Sequence, residues 1–335
     1  MTDVLTAPPA PVGAIAVVVR APGGVSMALP ATVANAGGDA GRLTLEFFAA
    51  RVANANTRKA YVRAVVRFCR WCEIQRVALL ELEPTTIAAY LEELKSVVSV
   101  ASVKLHASGL RHWLDYLTER GVLRSNPALS VRTPRLVIDE GKTPVLEREE
   151  ARALFASLEG STDVLTLRDR ALFAVMLFGF VRVGAAVKLA VRDFQDEGEN
   201  AWLMLHEKGG KERRIPCHHL TRAYLREYIA AAGLEPKSRA PLFQGAPRRS
   251  AALDGSSLSE NAAWKVVKRR CKAAGLPSTI SNHSFRATGI TIHQESGGRL
   301  EDAQQLAGHA DARTTRLYVR GKSKVARAEV ERVQL

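Results

Sequence analysis

The chain has 335 residues, 47% of them hydrophobic, with 48 Lys+Arg against 34 Asp+Glu for a formal net charge of +14. No apolar run approaches the ~20 residues of a membrane helix, and four cysteines are too few for a disulfide framework. These numbers disfavour a membrane span and a cross-linked secreted module. Two ordinary domains in a reducing cytoplasm are expected, and the basic excess favours a polyanionic partner, since each neutralised phosphate releases counterions.

Residues 1–42 are rich in Ala, Gly, Pro and Val, nearly uncharged and without a sustained period, which predicts a mostly disordered leader. No Lys or Arg precedes its Ala14–Val19 run, so the charge order of a signal peptide is missing. Residues 43–129 predict a small helical domain. Tyr61, Val65, Phe68 and Cys72 recur at helical spacing, as do Ile87, Tyr90, Leu91 and Leu94, and then Val103, Leu110, Trp113, Leu114 and Leu117. Thr57 is expected to cap the first of these helices and Thr85 the second. Arg58, Lys59, Arg63, Arg67, Lys104 and Arg111 fall on the polar sides, as a solvated face or a phosphate-contacting one. Cys69 and Cys72 form a single C-x-x-C, and Cys217-His218-His219 also suggests zinc. With no second C-x-x-C to complete four ligands, the Cys69–Cys72 pair is assigned to the core.

Residues 130–145, with Pro134, Gly141 and Pro144, read as a linker. A second domain is expected over 146–320, opening with Glu147, Glu149 and Glu150 at the positive end of a helix dipole. Ala171–Phe178 is apolar on every side and predicts a buried helix. Trp202–Leu205 and Arg214–Pro216 predict two strands joined by a turn at Lys208–Lys211. Residues 321–335 form a tail in which Ala326, Val330 and Val333 make a narrow helical stripe. The expected fold class is mainly α with a small antiparallel β-sheet: an N-terminal helical domain, then an α+β domain.

The residues suited to chemistry are weak one at a time. Arg182 sits beside the buried helix, Lys208 at the hairpin tip, and His283 and Arg286 three apart on one helical face. Gly308-His309 is followed nine residues on by Tyr318. Singly, each is as well explained by an ion pair, a turn lysine, a helix-end histidine or a core tyrosine. In order, Arg182, Lys208, His283-x-x-Arg286, Gly308-His309 and Tyr318 resemble the catalytic half of the tyrosine recombinase (phage integrase) family. The local contexts agree: Arg-Val-Gly-Ala-Ala-Val-Lys-Leu from Arg182, Glu-Lys-Gly-Gly-Lys around Lys208 and Thr-Thr-Arg-Leu-Tyr ending at Tyr318. The resemblance spans residues 43–322, with Thr57–Tyr61 opening the part that looks like the family's core-binding module.

The chemistry also follows from the residue types. A tyrosine oxygen can attack a phosphodiester and expel a deoxyribose hydroxyl, and the reverse step reseals the strand. Two guanidinium groups, Arg182 and Arg286, suit the charge developing on the non-bridging oxygens, each such donor being worth roughly 3 kcal/mol. The resemblance implies Lys208 as general acid, His283 assisting proton transfer at the tyrosine and His309 hydrogen-bonding the phosphate. It implies a site-specific recombinase working through a 3′-phosphotyrosyl bond and a Holliday junction. A type IB topoisomerase or telomere resolvase would share that chemistry, and a catalytically silent DNA-binding protein is the alternative of another class. No metal, cofactor or nucleotide is called for, and there is neither a P-loop nor a carboxylate cluster for magnesium.

Two positions depart from the family's pattern. Ala185 stands where many relatives carry an acid, and Phe285 and Ala287 alter the usual His-x-Leu-Arg-His. Both put the surroundings of the site in question rather than the nucleophile. Ser259–Ala274 predicts a helix with Trp264, Val267 and Cys271 on its apolar side and Lys265, Lys268, Arg269, Arg270 and Lys272 largely elsewhere. Its place resembles the family's helix that enters the major groove. Arg58, Lys59, Arg63, Lys104, Arg111, Lys211, Lys265, Lys268 and Arg269 are thus the candidate DNA contacts. Tyr224 and Tyr228, which lack a preceding Gly-His, are assigned to core or surface. The expected partner is double-stranded DNA, closed upon by both domains as a clamp. The expected assembly is a homotetramer on synapsed sites, with a monomer or weak dimer off DNA and a nucleoid-associated place in the cytoplasm.

Overall fold

The computed structural model describes residues 17–20, 26–134, 143–206, 210, 212–247, 250–309 and 315. Contacts divide the chain into two units, Met1–Val137 and Ile138–Leu335. Among the described residues no helix is long and apolar enough to cross a membrane.

The first unit opens with a two-stranded antiparallel ribbon, β1 (Val17–Arg20) and β2 (Ser26–Leu29), followed by α1 (Ala31–Ala34) and α2 (Ala40–Glu46). Three longer helices follow: α3 (Ala55–Gln75), α4 (Pro84–Lys95) and α5 (Val100–Glu119). Their apolar stripes form one core around Val65, Phe68, Ile87, Leu91, Leu110, Trp113 and Leu117. Cys69 and Cys72 are wholly inside it, and burial raises both thiols, Cys72 to about 12.

The start of this unit differs from the expected leader. Leu29, Val33, Ala40 and Leu43 are buried in the same core. The Thr32 hydroxyl donates to the Cys69 carbonyl at 2.9 Å, and Trp113 Nε1 donates to the Thr44 hydroxyl at 3.0 Å. The last third of the presumed leader is therefore folded. Helices of four and seven residues are too short to display a period, and their stability comes from docking. The caps also differ. Asn54, not Thr57, receives the first amides of α3, at 3.0 Å from both Asn56 and Thr57. Glu83 ahead of Pro84, not Thr85, caps α4 in a reciprocal arrangement with Thr86.

In the second unit α6 (Arg148–Ala156) begins with a reciprocal cap in which Glu150 accepts from the Glu147 amide at 2.8 Å. The central helix α7 (Val164–Phe178) is buried from Thr166 to Leu177. Apolar packing explains most of it, but it also buries Asp169, which has Arg168 at 2.7 Å, Arg270 at 2.8 Å and Arg269 at 3.1 Å. The short α8 (Val183–Ala186) leads to a three-stranded antiparallel sheet of β3 (Phe194–Glu197), β4 (Asn200–His206) and β5 (Glu212–Pro216). The sheet contains the expected hairpin plus one extra edge strand, with Leu203 opposite both Phe194 and Ile215. Four helices complete the unit: α9 (His219–Ala231), α10 (Glu260–Ala273), α11 (Asn282–Glu295) and α12 (Leu300–Ala307). α11 packs along α7, and the Leu146 amide donates to Thr288 on α11 at 2.8 Å, fixing the start of the unit to it.

Candidate active site

Arg286 is the fixed point of the site. It lies early in α11, whose start is secured by Ser284 accepting from the Ser281 amide at 3.0 Å. The side chain is 3% exposed. Its Nη1 donates to the Phe180 carbonyl, and its Nη2 donates to the Ala307 carbonyl at 2.7 Å and to His309 Nε2 at 2.5 Å. Acceptors from two other parts of the chain thus hold the guanidinium plane.

The imidazole of His309 is delivered by the end of α12. Gly308 takes φ 60°, the left-handed conformation that glycine adopts without a Cβ clash, and the His309 amide donates back to the Gln304 carbonyl at 3.1 Å. That turn buries the ring, with Nδ1 2.8 Å from the Thr315 hydroxyl. Because Nε2 accepts a hydrogen bond from Arg286, the ring is neutral and its hydrogen sits on Nδ1, toward Thr315. Burial, then the charges of Arg286, Arg182 and Arg213, push the imidazole down to about 4.

Arg182 approaches by way of a backbone kink. Phe180 has φ 50°, uncommon for a residue with a side chain, and its ring packs with Ile290, Ala303 and Ala307. The Phe180 carbonyl is one that Arg286 holds, and Arg182 follows as the extended cap of α8. It is exposed and makes no hydrogen bond or ion pair with any described residue. His283 is exposed nearly one helical turn before Arg286. The fold therefore brings Arg182, Arg286 and His309 into one electrostatic neighbourhood, with His283 on the same helix as Arg286. Lys208, Lys211 and Tyr318 lie outside the described residues. The strands on either side of residues 207–211 pair up to His206 and Glu212. Arg213 on β5 donates to the Leu306 and Gln305 carbonyls, tying the hairpin to α12 just before Gly308.

The sequence reading missed Thr315, the Phe180 carbonyl and Arg213 as supports of the site. The Thr-Thr pair ahead of Tyr318 was a usable signal for the first, whereas backbone carbonyls and long-range partners leave no trace in composition.

The candidate DNA contacts divide into two groups. Lys59 and Arg63 stand on an exposed stripe of α3, with Lys104 exposed on α5 and Lys265 on α10. The others are partly engaged within the protein. Arg58 donates to the Val52 and Ala53 carbonyls, and Arg111 donates to those of Ala128 and Val131. Lys268 donates to those of Ser278 and Ile280, and Arg269, still 60% exposed, reaches Asp169. Trp264, expected on the apolar side of α10, is instead 44% exposed, because Ala263, Val266 and Val267 fill the side facing the core. Tyr228 is a fully buried core residue, while Tyr224 stacks on Phe155. Among the described residues no group of three or more His, Cys, Asp or Glu side chains could hold a metal ion.

Residues 144–324 match the phage integrase family, and residues 44–121 match the N-terminal SAM-like domain of phage integrases. The chain is 30% identical over 274 residues to the tyrosine recombinase XerD of Listeria monocytogenes serotype 4b (strain F2365), covering 79% of this chain and 88% of that protein. It is 32% identical over 219 residues to the tyrosine recombinase XerC of Serratia marcescens, covering 65% and 68%. Its fold is similar to that of the XerH site-specific recombinase in a post-cleavage complex with palindromic difH substrate, with a TM-score of 0.67, 20% identity and coverage of 84% and 80%. It is also similar to a lambda integrase dimer bound to a COC′ core site, with a TM-score of 0.60, 19% identity and coverage of 83% and 76%.

Proposed function

The chain belongs to the phage integrase family, and we propose that it is a site-specific DNA recombinase that uses Tyr318 to cut and rejoin DNA strands. The phenol oxygen of Tyr318 bonds to phosphorus, the bond to the 5′ oxygen breaks, and Lys208 gives that oxygen its proton. His283 takes the tyrosine proton. The 5′ hydroxyl of the partner strand then attacks the 3′-phosphotyrosine, releasing Tyr318. One phosphodiester replaces another, so no external energy source is needed, and one round of exchange leaves a Holliday junction.

The observation that carries this reading is the setting of Arg286. A guanidinium is buried and held by the Phe180 and Ala307 carbonyls and by a neutral imidazole, and Arg182 stands near enough to lower that imidazole's proton affinity. Pre-oriented cations of this kind suit a phosphate whose charge grows in the transition state. His309 acts first on Arg286, as an acceptor that sets its plane, and contacts the phosphate through that group or after a small rotation. Arg182 and Arg286 clamp the non-bridging oxygens.

Lys59, Arg63, Lys104, Lys265 and Lys211 are the proposed phosphate contacts, since the four that lie among the described residues are exposed. Residues 43–129 and 146–320 are assigned as core-binding and catalytic domains, with 130–145 linking them. The active assembly is a homotetramer on two synapsed DNA sites, to which residues 321–335 contribute an exchanged segment.

The test uses nicked duplexes drawn from DNA flanking the gene, in which the cleaved fragment diffuses away and traps the intermediate. A denaturation-resistant protein–DNA adduct is expected with the native chain, none with Tyr318→Phe, and about a hundredfold less per unit time with Arg182→Ala or Arg286→Ala. Binding with no adduct from the native chain on any flanking duplex would favour the silent DNA-binding alternative.

A further inference from the structure

We infer that Trp264 reads a thymine methyl group in the major groove, within a few base pairs of the cleaved phosphate. The inference rests on the DNA-recombinase reading above and adds a base-specific contact to it. Trp264 is the one large apolar side chain among the described residues of the second unit that is substantially exposed. Its neighbours on the same open face of α10 are Glu260, Asn261, Lys265 and Lys272, all exposed.

The ring is held in place before any ligand arrives. Lys268 Nζ lies 5.5 Å from the indole centroid and donates to the Ile280 carbonyl at 2.6 Å and to the Ser278 carbonyl. The ammonium is thus pinned to the turn that leads into α11, and the indole rests on it as a cation–π partner. A half-exposed aromatic already fixed in orientation loses little freedom when it docks.

Its location points to bases near the reacting phosphate. Glu260, one turn earlier on α10, approaches Gly184, so that a Cβ on Gly184 would lie 2.8 Å from the Glu260 carboxylate. Gly184 is two residues beyond Arg182. The first turn of α10 therefore stands beside the proposed phosphate clamp.

The surrounding charge selects the occupant. A second copy of this face would bring Lys265 and Lys272 against their own kind, while the carboxylate of Glu260 is turned toward Gly184. The major groove is polyanionic at its rims and offers an apolar feature, the thymine 5-methyl, on its floor. One apolar plate in a basic face complements that surface.

The test starts from a pool of random duplex DNA bound by the full-length protein, with bound sequences read for the native chain and for Trp264→Ala. One thymine-preferring position close to the cleaved step is expected, and only that preference is expected to disappear in the variant. On a fixed duplex, replacing that thymine by deoxyuridine removes the methyl alone. Native binding is expected to weaken about fourfold, the worth of burying one such group, while Trp264→Ala binds more weakly and is indifferent to the swap. The inference is overturned if the swap weakens both proteins alike, or if the variant loses affinity evenly at every position. A native chain that selects no sequence overturns the recombinase reading as well. A selective native chain with an unchanged variant profile overturns only the role of Trp264. Thermal melting is expected to fall by only a few degrees in Trp264→Ala, from the lost cation–π contact, which separates loss of reading from loss of fold.

Discussion

Gly289 on α11 lies so close to the last turn of α7 that a Cβ on it would sit 2.0 Å from the Leu177 carbonyl oxygen and 2.8 Å from the Phe180 ring. Neither obstacle can move cheaply. The carbonyl is backbone, and Phe180 is held in a left-handed conformation with its own carbonyl on Arg286. Glycine at this position is what lets α11 carry Arg286 up to the kink before Arg182.

Gly289→Ala is therefore expected to destabilise the second unit by about 3 kcal/mol, at the upper end of overpacking costs. Urea unfolding measures it. Adduct formation should fall as well, even under conditions where the variant remains folded, because the separation of α7 and α11 sets the Arg286 guanidinium. An alanine variant with native stability and native cleavage would show that the two helices separate freely.

His309 contributes to the pH dependence of stability, alongside His106 and His218, whose imidazoles burial also lowers. Its imidazole falls to about 4 in the folded chain against an ordinary 6.5. Above 6.5 neither state holds the proton, and His309 contributes no slope. Between 6.5 and 4 the unfolded state takes up a proton that the folded state refuses, so stability declines as pH falls, by roughly 3 kcal/mol at most. His309→Gln is expected to flatten the slope between pH 6.5 and 5, measured by urea unfolding at each pH. Parallel slopes for the two proteins would contradict the assignment.

Asp169 balances three arginines while wholly buried. Asp169→Asn leaves Arg168, itself 3% exposed, without its counter-charge, and a loss of about 3–5 kcal/mol is expected. Arg269→Ala at the exposed end should cost under ~1 kcal/mol. Denaturation of the two variants side by side distinguishes a buried network from a surface one.

The two groups of basic residues give opposite outcomes. Lys104→Ala removes an exposed charge, so stability should stay within about 0.5 kcal/mol while the salt dependence of DNA binding drops by about one unit of slope. Arg111→Ala removes the donor to the Ala128 and Val131 carbonyls. It should cost roughly 1–3 kcal/mol of stability, with a smaller change in slope. Binding titrations across salt concentration, paired with melting, check both.

Much of the architecture was legible from periodicity. The stripes at Val65 and Phe68, at Ile87 and Leu91, and at Leu110 and Trp113 are the observed core, and the Trp202–Leu205 strand returns through Ile215. What escaped was set by distant partners. The α1 and α2 segments are too short to show a period, and Thr32 and Thr44 are satisfied by Cys69 and Trp113, tens of residues away. Threonines at 57 and 85 imitated caps because they sit inside the first turns that Asn54 and Glu83 close. At the site, the order of Arg182, Arg286 and His309 is a sequence property. That His309 Nε2 faces the Arg286 guanidinium is a tertiary one, made by the Gly308 turn.

The most direct test is peptide mapping of the trapped protein–DNA adduct after nuclease trimming. Tryptic digestion should yield one modified peptide, Leu317–Arg320, carrying a 3′-linked nucleotide on Tyr318. A nucleotide on Tyr224, Tyr228 or any serine, or a linkage to a 5′ phosphate, would contradict the account.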